Sequence, residues 1–197
     1  MLIGIMGKMG SGKTLTMTIL ANYLSQVNKV PLWANYGLIN SKRIKTLKDL
    51  WSVDGGIVAL DEIWLTMDSR MWKDNVAMTR WVNQTRKKKL IVMYTTQHIR
   101  QVELRVRNGT DILIYCERKK GIFELTFIDY QYRKIGNRLL ISQPNKFYTW
   151  YDTFEVLEPL VMQEKKDFVK KDVSDRLPYN RNMWADNARQ KWKKKWG

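Results

Sequence analysis

With 197 residues the chain has room for one domain built on a sheet of several strands, and for a tail beyond it. Its 35 basic residues against 19 acidic ones give a net charge of +16, which favours a polyanionic partner over a merely solvated basic surface. A single cysteine, Cys116, excludes an internal disulfide and a cysteine-built zinc centre; a single histidine, His98, excludes histidine-rich metal sites and leaves a serine or cysteine triad without support.

The chain enters an apolar strand at Leu2–Met6 and runs at once into Gly7-Lys8-Met9-Gly10-Ser11-Gly12-Lys13-Thr14, a complete G-x-x-x-x-G-K-[ST] loop. A strand, a glycine-rich turn and a helix in this order aim several backbone N–H groups at one spot, which suits a chain of phosphates. Lys13 is placed to reach the β- and γ-phosphates, and the Thr14 hydroxyl to join the shell of a Mg²⁺ ion. Gly7 to Thr14, with Leu15 after them, form the predicted ATP-binding cradle, and Leu15, Thr18, Ile19, Asn22 and Tyr23 give a helical period over 13–27. Because the strand and the loop occupy the amino terminus, no secretory signal is expected. Nowhere do about 18 apolar residues run together, so no membrane-spanning helix is expected either.

A strand over 30–34 and a short helix near Leu47–Trp51 lead to Gly55-Gly56-Ile57-Val58-Ala59-Leu60-Asp61-Glu62, which reads as a Walker B strand over 57–60. A buried parallel strand is a continuous apolar run, and catalytic groups gather at the carboxyl ends of such strands. Asp61 is the second predicted metal-supporting residue, and Glu62 the residue that orients or deprotonates the attacking water. A helix near 74–87 precedes the strand 90–96, Leu90-Ile91-Val92-Met93-Tyr94-Thr95-Thr96, which ends at Gln97. Gln97 has two readings of equal weight: it senses the γ-phosphate or positions water, or it caps backbone groups. His98 belongs to the same turn.

A strand over 111–116 carries Cys116, read as a small buried hydrophobe. Phe123, Leu125 and Phe127 alternate with Glu124, Thr126 and Ile128 in a later antiparallel strand over Phe123–Tyr132, with Leu139–Ser142 and Tyr148–Thr153 as candidate continuations. The whole is an α/β fold of the P-loop NTPase class: a mainly parallel central sheet flanked by helices, with added antiparallel strands near the carboxyl-terminal end. An ATPase domain is expected over 1–160. Beyond it lies an arm, 161–197, that changes character: from Gln163 to Gly197 eleven Lys or Arg face five Asp or Glu, a net of +6, with Trp184, Trp192 and Trp196 among them. Such an arm suits nucleic acid, a membrane surface or a partner protein, and equally well packs its tryptophans on the domain or a neighbour.

Taken together, GKMGSGKT, the Ala34-Asn35-Tyr36 triplet, IVALDEIW, the basic run Arg86-Lys87-Lys88-Lys89 before a strand and the YTTQH that ends it resemble the FtsK/HerA superfamily over about residues 1–155. Within it the chain is most similar to the small genome-packaging ATPases of tailless, membrane-containing icosahedral viruses, and to the Zot-like assembly ATPases of filamentous phages. Zot-like proteins usually carry a membrane span after the ATPase domain, so its expected absence places the packaging reading first.

This resemblance implies a homo-oligomeric ring that uses ATP and Mg²⁺ to move double-stranded DNA into a preformed capsid. It implies capsid vertex proteins as partners, contact with a virion membrane without a span, and a place in the host cytoplasm or at the packaging vertex. It also implies an arginine donated in trans. Arg105 falls where the family often places one and Arg86 stands in the basic run, with Arg80, Arg100 and Arg107 left as further candidates. Lys8 occupies the position of the extra lysine of MinD/ParA-type loops; it contacts phosphate or faces solvent. The alternative from another class is a nucleotide-gated virion assembly protein that acts on protein partners without moving DNA. A small-molecule kinase is disfavoured by the Asp61-Glu62 pair and the lack of an arginine-rich lid.

Overall fold

The computed structural model describes residues 1–66 and 79–161, all within one compact unit. Strands alternate with helices in chain order: β1 Leu2–Met6, α1 Lys13–Asn28, β2 Leu32–Ala34, β3 Lys42–Arg43, α2 Leu47–Ser52 and β4 Gly56–Leu60 come first. Then follow α3 over 79–84, β5 Leu90–Thr96, α4 Leu104–Asn108, β6 Ile112–Lys119, β7 Ile122–Asp129 and β8 Lys134–Ile141.

Among the described residues the strands form one eight-stranded sheet in the order β3-β2-β4-β5-β1-β6-β7-β8. From β3 to β6 every neighbour pairs in parallel, and β6-β7-β8 is an antiparallel meander. This is the expected α/β architecture. The central strands are buried on both faces, which is why they read as unbroken apolar runs. Ile3, Ile5, Ile57, Ala59 and Met93 face the cluster under α1, where Met17 and Ala21 close it. Val58, Leu60, Val92 and Tyr94 point the other way, toward Leu50 of α2, Trp81 of α3 and Val106 of α4. Cys116 is buried in the first of these clusters, and burial pushes its thiol up to about 11. Tyr23 lies on the exposed side of α1, so the buried stripe of that helix is Leu15, Met17, Thr18, Ala21 and Asn22 instead of the one that ends at Tyr23.

Several expected elements are corrected. The second strand begins at Leu32 and not at residue 30, because Lys29 closes α1 in the left-handed region (φ 52°) and Val30 N–H returns to Ser25. The helix near 74–87 is described only from 79; it ends at 84, where the Thr85 hydroxyl bonds back to the Val82 carbonyl and Lys89 turns the chain at φ 52°. The expected strand Leu139–Ser142 is the end of a longer one, β8, which stops at Ile141, and Tyr148–Thr153 is no strand continuation: Pro144–Trp150 is a 3-10 helix with proline at its start. The expected arm, apart from Val161, lies outside the described residues.

That 3-10 helix and the irregular chain after it, as far as residue 160, form a strap. Ile39 N–H donates to the Trp150 carbonyl (2.8 Å) and Asp152 N–H to the Gly37 carbonyl (3.0 Å), an antiparallel bridge around Leu38 and Tyr151. Glu155 accepts from Gly37 N–H and pairs with Arg43. Leu160 joins the core cluster that holds Ile63 and Trp81, its N–H on the Thr66 hydroxyl (3.0 Å). Leu160→Ala is expected to cost about 2–4 kcal/mol of folding free energy through the cavity it leaves; chemical denaturation measures it, and a loss under about 1 kcal/mol would mean that the strap is not anchored there.

Candidate functional site

The order β4-β5-β1 places the carboxyl ends of three strands side by side, and the residues that follow them make the site. The loop after β1 lies flush on the sheet: a side chain at Gly7 would collide with the Cys116 carbonyl, and one at Gly12 with the Phe123 ring. Gly10 and Gly12 take φ of 74° and 86°, a region that favours glycine. Gly12 caps α1 with no side-chain hydrogen bond, so the first N–H groups of the helix are left for an anion. Lys13 is buried and folds back to donate to the Lys8 carbonyl (3.2 Å), while Lys8 and Met9 are exposed on the outer side of the loop. Ser11 Oγ is buried with no partner among the described residues.

The Thr14 hydroxyl donates to the Asp61 carboxylate at 3.0–3.1 Å. Thr95 of β5 donates to the same carboxylate at 2.5 Å and accepts the Glu62 N–H at 2.8 Å. Asn35, just after β2, clasps the Asp61 backbone from both sides, its Oδ1 taking the N–H (2.7 Å) and its Nδ2 donating to the carbonyl (3.0 Å). Tyr36 is buried beside it and shares a hydrogen bond with Thr18 of α1 (3.1 Å). Asp61 is therefore enclosed, and burial raises its carboxyl above the usual range. The Glu62 charge adds to this, against the opposing pull of the Thr95 and Thr14 hydroxyls and of Lys13. Glu62 sits in the left-handed region (φ 49°), half-buried, its carboxylate held by the Trp64 indole N–H.

One hydroxyl and one carboxylate that converge beside a phosphate cradle fit Mg²⁺, an ion that takes few protein oxygens and completes its shell from phosphate and water. Gln97 stands half-buried at the end of β5, and among the described residues its side chain has no hydrogen-bond partner. His98 caps a 3-10 turn, its Nδ1 accepting the Arg100 N–H (3.1 Å).

Arg86 and Arg105 are not brought to this site. Both border a separate hollow of 330 Å³ at the amino ends of the strands, with Asp111. Arg86 is 83% exposed and pairs with Asp111 (3.5 Å), whose other oxygen takes the Leu2 N–H (2.7 Å). Asn35, Thr95 and Trp64 are site residues that the motif reading passed over; a polar residue at the end of an apolar strand is the signal that Asn35 and Thr95 carry. The strap supplies others: a cleft of 320 Å³ runs from Lys13 and Thr14 to Arg118, Phe123, Tyr148 and Tyr151.

The family described as Zonular occludens toxin (Zot) matches residues 35–144, more than half of the chain. The chain belongs to the Zot family. No curated protein matches it. Among solved structures, the N-terminal domain of zonular occludens toxin from Neisseria meningitidis is 18% identical with a TM-score of 0.56, covering 77% of this chain and 98% of that one. The genome packaging NTPase B204 of Sulfolobus turreted icosahedral virus 2, in complex with ATP-gammaS, is 13% identical with a TM-score of 0.54, over 68% and 95%. B204 described as the DNA-packaging ATPase of Sulfolobus turreted icosahedral virus is likewise 13% identical with a TM-score of 0.54, over 68% and 95%. At these identities the likeness is one of fold, and the resemblance to Zot-like and packaging ATPases stands. The Zot match spans Asp61, Glu62, Arg86, Gln97 and Arg105 and begins after the phosphate loop. Among the described residues no helix is long and apolar enough to cross a membrane.

Since burial raises the Asp61 carboxyl, the folded protein holds its proton more tightly than the unfolded chain. Its contribution to stability is complete below the ordinary carboxylate range and is lost as pH rises through the elevated value. Asp61→Asn is expected to raise the melting temperature of the nucleotide-free protein at pH 7 by about 2–4 °C and to weaken its gain in stability on acidification. Thermal scans across pH check both; a variant that melts below wild type at pH 7 contradicts the cost assigned to this charge.

Proposed function

We propose that this Zot-family chain is a Mg²⁺-dependent ATPase that drives virion assembly, with double-stranded DNA as the polymer on which it works. The observation that carries the reading is the meeting of the Thr14 hydroxyl and the Asp61 carboxylate at the mouth of the phosphate loop, with Glu62 alongside. Lys13 and the loop N–H groups bind the β- and γ-phosphates of ATP, and Thr14 and Asp61 support the metal. When bound, the ion neutralises charge on the phosphate oxygens. Glu62, held by Trp64, takes the proton of the attacking water, and Gln97, which has no other engagement among the described residues, faces the γ-phosphate and links its loss to movement. Arg86 or Arg105 serves a neighbouring subunit in a homo-oligomeric ring.

The net charge of +16 supports DNA as the substrate, since basic surfaces gain affinity from counterion release. On this reading the ring works at the packaging vertex with capsid proteins, reached from the host cytoplasm and next to the virion membrane. A second reading is favoured by the family match: a Zot-like assembly ATPase that acts on protein partners without moving DNA.

ATP hydrolysis with and without double-stranded DNA, for wild type and Glu62→Gln in parallel, tests both. Stimulation by DNA that weakens as salt rises is expected, together with a fall of at least about 100-fold in turnover in Glu62→Gln while ATP still binds. Turnover indifferent to DNA selects the protein-directed reading, and full turnover in Glu62→Gln removes the role given to that residue.

A further inference from the structure

The phosphate loop accounts for one end of its cleft, and the other end has a wall of its own. Phe123 of β7 packs its ring on Gly12 at the start of α1, and the Arg118 guanidinium of β6 lies over that ring, 5.4 Å from its centre. Tyr148 and Tyr151 of the strap line the same cleft. Their positions are set by backbone pairing: Tyr151 lies between the two hydrogen bonds to Gly37 and Ile39, and Phe147 meets Trp150 edge to face at 5.0 Å in the turn that presents Tyr148. Tyr151 is the deeper of the pair. Burial pushes its phenol up to about 12, with Tyr148 and Asp61 acting in the same direction. Tyr148 is 38% exposed and Arg118 exposed. The same two side chains border a second hollow, of 510 Å³, lined also by Gly121 and residues 142–146, so open space continues past them.

We propose that Arg118 and Tyr148 form the nucleoside subsite of the nucleotide cleft, the base of the bound triphosphate stacking between the β6-β7 hairpin and the strap. The proposal rests on the reading of Gly7–Thr14 as a triphosphate cradle and extends it to residues outside every nucleotide motif. A phosphate chain seated on the loop has to send its nucleoside outward along the cleft, and this wall offers it a guanidinium plane and a phenol face. Both groups suit stacking against any base, and neither is consumed by a salt bridge among the described residues. The strap that carries Tyr148 is tied to the loop after β2, on the far side of the phosphate loop from β6, so the subsite exists only when the strap is in place.

Calorimetric titration of the full-length protein with Mg-ATP and, separately, with inorganic tripolyphosphate tests this. Tyr148→Ala and Arg118→Ala are each expected to weaken ATP about tenfold and to leave tripolyphosphate unchanged, with Tyr148→Phe close to wild type. Alanine variants that bind ATP as tightly as wild type overturn the subsite, as does an equal loss for both ligands, which would place the residues on the phosphates or in the fold. Failure of the cradle itself has a different signature. Wild type would then bind neither ligand, or Lys13→Ala would bind both undiminished, and the subsite would fall with it.

Discussion

A carboxylate has been taken out of water at the centre of this protein, and the sheet is arranged to hold it. Asp61 follows β4, its two hydroxyl partners come from α1 and β5, and its backbone is clasped by a residue that follows β2. Four separate stretches of chain therefore have to be in register before the charge is satisfied. The register is fixed by burial: Leu60 lies opposite Tyr94, and Ile5 opposite Thr95, so Thr95 falls beside Asp61 on one side and the root of the phosphate loop on the other. A slip of one residue in β5 would turn Thr95 away and bring Tyr94, whose hydroxyl is satisfied by Thr110 on the opposite face, toward the acid. Dry packing of the strands and polar closure of the site are thus one constraint.

That closure explains why Glu62 is separate in character from Asp61. Asp61 is locked by three side chains. Glu62 keeps one indole contact and a backbone N–H bond, and its left-handed backbone turns the chain out of the sheet at that point. Of two adjacent carboxyl groups, one is enclosed and fixed and the other half-buried, and in the proposed function this difference of environment divides a supporting role from a proton-transfer role.

What could be read in the sequence follows from the same physics. β1, β4 and β5 are covered on both faces and write unbroken apolar runs, and the groups at their carboxyl ends, Gly7 to Thr14, Asp61, Glu62 and Gln97, were legible because a strand end is where such groups gather. β8 is an edge strand exposed along most of its length, so burial imposed no alternation on Lys134–Ile141 and only its end was visible. Asn35 was noticed as part of a triplet but not as the clasp on Asp61, since that role depends on β2 lying next to β4. Tyr148 and Tyr151 stood only in a candidate strand continuation, with no local signal for the cleft. They reach the cleft by long-range pairing of an irregular strap with the loop after β2.

The arginines illustrate the converse. Arg86 stands just before β5 and Arg105 in the helix before β6, and a residue that precedes a parallel strand belongs to the amino edge of the sheet, away from the edge where the phosphate loop opens. Neither can serve its own subunit's nucleotide. For either to stabilise charge on a neighbour's γ-phosphate, the amino edge of one subunit has to meet the carboxyl edge of another. Without such a contact both arginines stay at the hollow on the amino edge, away from the cleft of their own subunit. The proposed ring meets that requirement at every subunit, because a head-to-tail contact repeats from one subunit to the next and closes where the rotation allows it.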